Sequence, residues 1–541
     1  MKKTICLLLI ALLLLGSLAG CGEKAPATSS NNSVTEKDVA KTDMEVGNAN
    51  VEVGIKIDKD ATDVKYKDSL KIIVDNTQMS VLDPAHSLAG GQGTVMNAAC
   101  IYDTLVANDN GTMVPDLALS WDIVDNKDFT FKLREDVKFH NGEPFTADDV
   151  LFTYEHAMAQ MSGTAFTRFS YVDTVEVVDE HTVTFHLKNP NSDFLLYLYS
   201  PNLSILNREA CESNPETGAY IGTGAWIVDE FVADEYSKLH VNENYWGEVP
   251  VTKNLTFMKV NEEATRYMML MNDEVDVAFG CSPADFDSIR DDPNFELYTY
   301  VIVNMFYVGF NLTDPMMQDL NFRKCVSCLI DRDAIIWGTR YGYAKASPSG
   351  AFWGYSTLYR NMDLPLQGYD VEKAKEYLAA SSYNGEEIEI TTWNVGAEMA
   401  QMLQSELMQI GVNAKINQTD NAGFGARTKY GANEGQIIIN GGNWNNYPSA
   451  AAPFYAEGSS TNKTSVCNPE ITKLFDTAIS TTDEAEKEAC YKEIQRISYE
   501  ECMYIPTTSI QHGVGAAKDV GGIILTEENA HDLSHLFRVI E

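Results

Sequence analysis

Short stretches in which apolar and polar residues alternate recur along the chain, and this pattern predicts half-buried strands. Residues 129–133 (FTFKL) and 183–187 (VTFHL) alternate in this way. A β-type run at 70–74 (LKIIV) marks the predicted start of the folded sequence, and an apolar run at 437–439 (III) predicts a buried strand. The pattern therefore predicts several short strands spread over most of the chain.

Apolar residues at helical spacing lie between these predicted strands. Thr146, followed by Asp149, forms an approximate capping box that predicts a helix start. An apolar stripe between residues 399 and 410 predicts another helix, which ends where Gly411 suits a left-handed C-cap. A last long helix is predicted over 482–502. Strands and helices alternate without an obvious linker or internal repeat, which favours an α/β fold of interleaved lobes.

The N-terminus has the pattern of an export signal. Two lysines precede an unbroken apolar run at 5–15, shorter than the ~20 residues of a membrane-spanning helix. The run leads to Leu-Ala-Gly-Cys at 18–21, which looks like a bacterial lipobox; the alternative is a chance cysteine after an ordinary signal. We predict a lipoprotein signal peptide at 1–20, lipidation of Cys21 and a flexible polar tether at 21–68. The expected location is the extracytoplasmic face of the cell membrane.

Composition and charge narrow the functional classes. The chain has 541 residues, of which 44% are hydrophobic and 22% charged, so it can bury a large core and form two or three domains. Its formal net charge of -38 is not interrupted by any basic stripe, which excludes nucleic acid as a partner. We interpret the acidity as a solubility feature of an exposed protein.

The cysteine pair Cys325 and Cys328 forms a CxxC, a spacing that also occurs in zinc and redox sites. Phe322 and Val326 recur around the pair at helical spacing, so we interpret both sulfurs as small apolar side chains on one helix. No second CxxC or histidine pair completes a four-ligand site in the sequence.

Signatures of catalysis and of cofactor binding are missing from the sequence. The nine histidines include no HxH or HExxH spacing, and there is no GxSxG elbow, P-loop or dinucleotide-binding GxGxxG in a strand-helix setting. We therefore expect neither an enzyme nor a protein with a metal or cofactor.

A long, ordered set of motifs resembles the signature of the peptide/nickel family of ABC-importer binding proteins. The main block consists of VPDLALSW (114–121), FKLR (131–134), VKFHNG (137–142) and FTADDV (145–150). Further motifs follow the family order: LDP (82–84), YDTL (102–105), GTG (222–224), NYWG (244–247), FN (310–311), FR (322–323) and DRDAII (331–336). The resemblance extends from about residue 70 to the C-terminus.

The resemblance implies an α/β, two-lobed periplasmic-binding-protein-like fold of type II with an additional small third domain. The implied segments are 69–105, 222–312 and 503–541 for lobe I, 106–221 for the extra domain inserted in lobe I, and 313–502 for lobe II. The hinge would lie near residues 307–312 and 504–508. The implied partners are a small solute bound in the cleft, with a peptide as the leading candidate, and the permease and ATPase subunits of an ABC importer. The protein is expected to act as a monomer.

Three aromatic stretches are candidates for the ligand-binding site. Trp353 lies in a loop sequence that tends to face the cleft in the family, and Trp393 follows a short β run. For both residues core packing is the alternative. The third stretch is a Gly- and Asn-rich loop after the III run, with the candidate ligand contacts Trp444, Asn445, Asn446 and Tyr447.

This last loop departs from the family pattern. Peptide binders of the family commonly place an Asp close after the corresponding Trp to pair with the peptide's ammonium, whereas this chain has Asn445 and Asn446. Burying an unpaired ammonium costs several kcal/mol, so either another carboxylate, with Asp83 and Asp420 as candidates, supplies the charge or the ligand lacks a free amine. A peptide remains the leading ligand; a nickel chelate, an oligosaccharide, or a surface receptor role are the alternatives.

The signature around His140 identifies the family without marking a ligand site. Asn141-Gly142 is a turn signal and the flanking aromatics alternate as in a strand, so we expect these residues to form turns and packing contacts.

Overall fold

Two separate β-sheets covered by helices form the framework of the molecule. The computed structural model describes residues 50–56, 64–75, 77–109, 112–301, 304–353, 357–431, 434–443, 447–526 and 531–540, all of which belong to one compact unit. The alternation of helices and strands along these ranges confirms the predicted α/β class.

The strands of the described residues are, in chain order, β1 (Asn50–Val53), β2 (Lys65–Tyr66), β3 (Ser69–Val74), β4 (Val106–Asp109), β5 (Thr112–Pro115), β6 (Ala118–Val124), β7 (Asp128–Leu133), β8 (Val172–Asp179), β9 (Thr182–Leu187), β10 (Trp226–Val232), β11 (Tyr236–Val241), β12 (Asn254–Lys259), β13 (Val277–Phe279), β14 (Phe295–Val301), β15 (Asn304–Phe310), β16 (Ala344–Ala346), β17 (Ile388–Trp393), β18 (Ala414–Thr419), β19 (Ile437–Asn443), β20 (Tyr504–Pro506), β21 (Thr508–Ala517), β22 (Val520–Gly521), β23 (Ile523–Thr526) and β24 (Phe537–Ile540).

The α-helices of the same ranges are α1 (Gln92–Ile101), α2 (Ala147–Ala159), α3 (Thr164–Phe169), α4 (Phe194–Tyr197), α5 (Arg208–Ser213), α6 (Glu263–Met271), α7 (Phe286–Asp291), α8 (Leu320–Cys328), α9 (Arg332–Arg340), α10 (Val371–Ala380), α11 (Ala397–Gln409), α12 (Asn421–Arg427), α13 (Pro469–Ser480) and α14 (Glu484–Glu500).

The first sheet has the strand order β10-β11-β12-β3-β13-β21-β14, with β16 added on β21. Strand β3 runs parallel to both β12 and β13, and its residues Ile72, Ile73 and Val74 are fully buried. A strand that is apolar at successive positions is buried on both faces, as the LKIIV run predicts. We call this sheet with its helices the first lobe.

The second sheet has the order β18-β17-β19-β15-β20. Successive residues of β15 face opposite sides: Phe306 and Val308 join one apolar cluster, while Met305 and Tyr307 join another. Because a separate core lies on each face, β15 is buried along its whole length. We call this sheet with its helices the second lobe.

Two chain crossings join the lobes, the first before the predicted hinge at 307–312 and the second within the predicted hinge at 504–508. The chain changes sheets between β14 and β15, and again between β20 and β21 at Thr507, so residues 304–310 and 504–506 belong to the second lobe instead of lobe I. Asn304 ties the crossings together, since its Oδ1 accepts a hydrogen bond of 3.0 Å from the Ile510 N–H. Only the first predicted hinge segment lies too late, because nothing in the apolar, aromatic sequence of β14 and β15 marks the change of sheet.

Residues 106–221 contain a four-stranded antiparallel sheet of order β6-β7-β9-β8, which with β4, β5 and helices α2–α5 we call the inserted domain. Phe129 on β7 pairs with Phe185 on β9, so the two alternating stretches are neighbouring strands with their apolar faces inward. The Asp149 carboxylate accepts a hydrogen bond of 3.0 Å from the backbone N–H of Thr146, which confirms the helix start. The apolar core of this domain is continuous with that of the first lobe.

Two N-terminal strands show that the predicted tether at 21–68 extends too far. Strand β1 pairs with β23, and β2 pairs with β24, near the other end of the chain. Each strand is too short to give a local signal, and it forms only by pairing with a strand that is distant in sequence.

The last helix also starts later than predicted, because the Asp483 carboxylate caps α14 by accepting from the N–H groups of Ala485 and Glu486.

Candidate functional site

Trp393 lies at the end of β17, at the edge of the second sheet. Its Nε1–H donates a hydrogen bond of 2.9 Å to Oδ1 of Asn440 on β19, and the Asn440 amide donates one of 3.2 Å to the Tyr307 hydroxyl. Strands β17 and β19 are parallel, so their carboxyl ends meet at the same edge, where ligands of open α/β sheets collect. The Trp393 ring is half-buried and held in one orientation.

The loop proposed to contact ligand begins beside the chain crossing. Asn443, the last residue of β19, pairs with Asn304, the first residue of β15 after the crossing. The predicted contacts Trp444, Asn445 and Asn446 lie outside the described residues.

Beyond that loop, the chain reaches the inserted domain. The Tyr447 ring packs with its centroid 4.7 Å from that of Tyr197 on α4. The backbone N–H of Ser449 donates a hydrogen bond of 3.0 Å to the carboxylate of Asp193, and the Ser449 hydroxyl lies 3.3 Å from the Tyr197 hydroxyl. The two described flanks of the loop therefore contact the crossing on one side and the inserted domain on the other.

Asp193 is a buried carboxylate at this contact. Burial raises its pKa, while hydrogen bonds from Ser449 and the charge of Lys487 act in the opposite direction. A buried acceptor of this kind needs its donor, so the Asp193–Ser449 contact favours the juxtaposition of the inserted domain and the second lobe.

Two further hydrogen bonds extend the same interface. The Asn126 side-chain amide donates to the Thr481 carbonyl over 3.0 Å, and the Ser192 N–H donates to the Ile479 carbonyl over 2.9 Å. Both acceptors follow the end of helix α13 or form its last turn, so the contact is made by backbone atoms of the second lobe.

Trp353 does not lie at this edge, and its prediction as a ligand contact is corrected. Its side chain is only 1% exposed and packs between Phe475 and Tyr491, with ring centroids 6.4 and 6.0 Å away. Helices α13 and α14 cover it, so the core-packing alternative applies to Trp353.

The carboxylates considered as substitutes for the missing Asp are both engaged within the protein. Asp83 forms a 2.7 Å ion pair with Nε2 of His156, whose pKa is raised mainly by that hydrogen bond. Asp420 caps helix α12, where its Oδ1 accepts from the Gly423 N–H over 2.7 Å. Neither carboxylate is held free for a ligand ammonium in this arrangement.

Comparison with known proteins decides the family. Residues 112–465, more than half of the chain, match the family described as bacterial extracellular solute-binding proteins, family 5 Middle. The chain belongs to this family of solute-binding proteins. A di/tripeptide-binding protein of Pseudomonas aeruginosa is 29% identical over 478 residues, covering 80% of this chain and 86% of the relative. A nickel-binding periplasmic protein of Escherichia coli is 26% identical over 459 residues, covering 78% and 86%.

The fold of this binding protein is confirmed by solved structures. That of HbpA2 from Haemophilus parasuis has a TM-score of 0.78 and 25% identity, and the alignment covers 86% of this chain and 99% of the other. The predicted two-lobed periplasmic-binding-protein-like fold of type II, with its additional domain, is therefore correct. Members of the family act as extracytoplasmic binding proteins.

The family motifs converge on a buried polar cluster away from the sheet edge. The Asp103 carboxylate of the YDTL motif accepts hydrogen bonds from Thr223 (2.7 Å), Tyr245 (3.0 Å) and Trp246 (2.8 Å), which belong to the GTG and NYWG motifs. Burial raises the pKa of Asp103, and burial together with the charge of Asp103 raises the pKa of Asp116 to about 8. These motifs tie together the two segments of the first lobe that flank the inserted domain in the sequence.

His140 has a comparable structural role. Its Nε2 lies 3.0 Å from the Gly224 carbonyl, and its Nδ1 accepts from the Gly222 N–H over 3.2 Å. Burial lowers its pKa to about 4, so the ring is neutral near neutral pH. Within the described ranges, no three His, Cys, Asp or Glu side chains are grouped so as to hold a metal ion.

The CxxC cysteines lie on helix α8, where Cys325 is buried and Cys328 half-buried.

Among the helices of the described residues, none combines the length and apolarity needed to cross a membrane.

Sequence reasoning missed Asp193, Tyr197 and Ser449. Asp193 precedes a short apolar helix and gives no motif, and its partner Ser449 lies far along the chain. Only the meeting of two distant segments shows that these residues form an interface.

Proposed function

We propose that this binding protein captures a peptide in the cleft between its two lobes and delivers it to the permease and ATPase subunits of an ABC importer. The observation that carries the proposal is the family match, together with polar and aromatic groups gathered where the chain crosses between the sheets. The names of relatives, among them di/tripeptide-binding protein 1, favour a peptide. The ligand is released unchanged, and the protein acts as a monomer.

Anchoring belongs to the same proposal. Cys21, which lies outside the described residues, would carry the lipid and become the first residue of the mature protein. The protein would then remain at the outer face of the cell membrane, beside the importer that it serves.

Trp444, Tyr447 and Trp393 form the proposed ligand contacts, with Asn445 and Asn446 beside them. Support comes from the flanks: Asn443 pairs at the crossing, and the fixed Trp393 indole is bonded to β19, the strand that precedes the loop. Aromatic faces tolerate varied side chains, which suits a binder of peptides of differing sequence.

The ligand class can be tested by thermal unfolding of the purified protein. We expect a peptide pool to stabilise it by about 2.7 kcal/mol at a hundredfold excess over the dissociation constant. Nickel chelates and oligosaccharides serve as comparison pools, because one relative is a nickel-binding protein and an oligosaccharide is an alternative to a peptide as the ligand. Stabilisation by one of these pools and not by peptides would contradict the peptide proposal, and mass spectrometry of a copurified ligand would then identify the class.

We propose that the Asp193–Ser449 contact forms when the two lobes close on the ligand. Asp193→Ala removes the acceptor and leaves the Ser449 N–H unpaired, which costs about 1–3 kcal/mol when the lobes are together. We expect peptide affinity, measured by calorimetry, to fall about tenfold, since only the closed form is penalised.

Asp193→Asn is the matched control for closure, because its amide oxygen can still accept from Ser449. We expect this variant to bind within about threefold of the wild type, a difference of only about 0.7 kcal/mol. Equal affinity of Asp193→Ala and wild type would show that the contact does not depend on ligand.

A further inference from the structure

Asn384 and Gly385 form an exposed bend in front of β17 of the second lobe. Gly385 has a φ of +92°, a backbone conformation that glycine adopts without strain, and nothing lies within 4 Å of the place that a Cβ atom would occupy there. The backbone N–H of Ser382 donates a hydrogen bond of 2.6 Å to the Asp319 carboxylate, and Ile388 is fully buried. The bend is therefore anchored on both sides and open to solvent in between.

The two groups that can react with each other in this bend have no hydrogen-bond partner in the described part of the chain. They are the side-chain amide of Asn384 and the backbone N–H of Gly385. Asn384 is held by its own backbone N–H, which donates over 2.8 Å to the Glu386 carboxylate. The Asn384 side chain can therefore turn toward the Gly385 nitrogen without breaking a hydrogen bond.

Asn141-Gly142 is the same dipeptide in a different state. Both of its residues are exposed, as at Asn384, but the Gly142 N–H donates a hydrogen bond of 2.8 Å to the Phe139 carbonyl. The Asn141 Oδ1 accepts one of 3.1 Å from the Glu143 N–H. The nucleophile and the side chain are thus both engaged. Another Asn-Gly, at 110–111, lies outside the described residues.

Asn440-Gly441 is held still more firmly, because it belongs to strand β19. The Asn440 side chain accepts from the Trp393 indole over 2.9 Å and donates to the Tyr307 hydroxyl over 3.2 Å. Gly441 is paired with Phe306 of the neighbouring strand. An extended strand residue with its amide fixed on both sides cannot fold back on the next nitrogen.

We propose that Asn384 is a site of spontaneous deamidation, with water as the only co-reactant. The Gly385 nitrogen forms a bond to Cγ of Asn384, and the bond from Cγ to the side-chain nitrogen breaks. That nitrogen leaves as ammonia, with the proton that the Gly385 N–H has lost. Water then opens the succinimide at one of its two carbonyls and gives aspartate or isoaspartate. Glycine favours the step because no Cβ covers its nitrogen.

The modification lies far from the proposed ligand contacts. Asn384 precedes β17, whereas Trp393 is the last of its six residues, so a strand about 20 Å long separates the two positions. Residues 384–387 are all exposed and can absorb the added charge and the longer isoaspartyl backbone. We expect the aged protein to keep its melting temperature and its affinity for ligand, so this inference does not depend on the proposed function.

The test follows the conversion of each asparagine in the purified, folded wild type kept in mildly alkaline buffer. Digestion at acidic pH and mass spectrometry give the fraction of aspartate and isoaspartate at each Asn-Gly. Each hydrogen bond that must break slows the reaction about twofold to tenfold, so Asn384 should convert about tenfold or more faster than Asn141 and Asn440. In denaturant the three positions should convert at similar rates, because the protecting contacts are gone.

Two variants complete the test. Asn384→Gln should remove most of the product formed by the folded protein, since glutamine would need a six-membered ring that closes far more slowly. Asn141→Gln changes the other exposed Asn-Gly of the described residues and should leave conversion at Asn384 as in the wild type. Equal rates at Asn384 and Asn141 in the folded protein would overturn the inference. So would an Asn384 that stays intact in the folded protein while it converts in denaturant.

Discussion

Cys21→Ser is expected to abolish lipid attachment to this protein completely. Cells fed an alkyne-bearing fatty acid should label the wild type and leave the variant unlabelled, because the thiol is the only group of the Leu-Ala-Gly-Cys sequence that can accept the lipid. The apolar run at 5–15 is shorter than the ~20 residues needed to span a membrane, so it does not replace the anchor. The variant should consequently appear in the soluble fraction once its signal is removed.

Cys467→Ser is the matched control for this experiment, since Cys467 is an exposed thiol of the folded region. We expect this variant to keep the label and the membrane fraction of the wild type. Label that persists in Cys21→Ser, or that disappears in Cys467→Ser, would place the lipid elsewhere and contradict the lipobox interpretation.

Elements with a strong local pattern could be predicted from the sequence. The alternation at 129–133 and 183–187 identified two strands that do pair, and the Thr146–Asp149 capping box identified the start of α2. In these cases the side chains that decide the structure are neighbours along the chain. The local sequence is therefore sufficient to predict these elements.

Elements that form only through contacts with distant parts of the chain could not be predicted. Strand β1 forms because residues 523–526 lie beside it, and the crossing before Asn304 depends on the pairing of β15 with β19 and β20. Contacts with distant parts of the chain also decide the different burial of Trp353 and Trp393. Both tryptophans follow plausible loop or strand sequence, yet α13 and α14 bury Trp353 whereas the edge of the second sheet leaves Trp393 half-buried.

Asp193 gave even less local information, because only the approach of Ser449 from the other lobe gives this carboxylate a role.

Trp444→Ala is expected to weaken ligand binding by about 1–3 kcal/mol, the loss typical of an aromatic anchor in a desolvated pocket. The melting temperature of the empty protein should change little, because a residue that contacts ligand is not needed to fill the core. Trp353→Ala provides the contrast: its 1% exposed ring lies in the core, so its removal should cost about 3–5 kcal/mol of stability.

Asn446→Asp tests whether this position replaces the carboxylate that peptide binders of the family use. If it does, the variant should bind peptides with a free ammonium more tightly and should bind their N-acetyl forms more weakly, since a buried carboxylate without a partner is costly. Asn445→Asp is the neighbouring control, with the same change of charge one residue earlier. Calorimetry of one peptide and its N-acetyl form on all three proteins gives the comparison. An unchanged preference in Asn446→Asp, together with unfolding of Trp444→Ala, would make this loop a packing element and leave Trp393 as the predicted aromatic group around which the ligand binds.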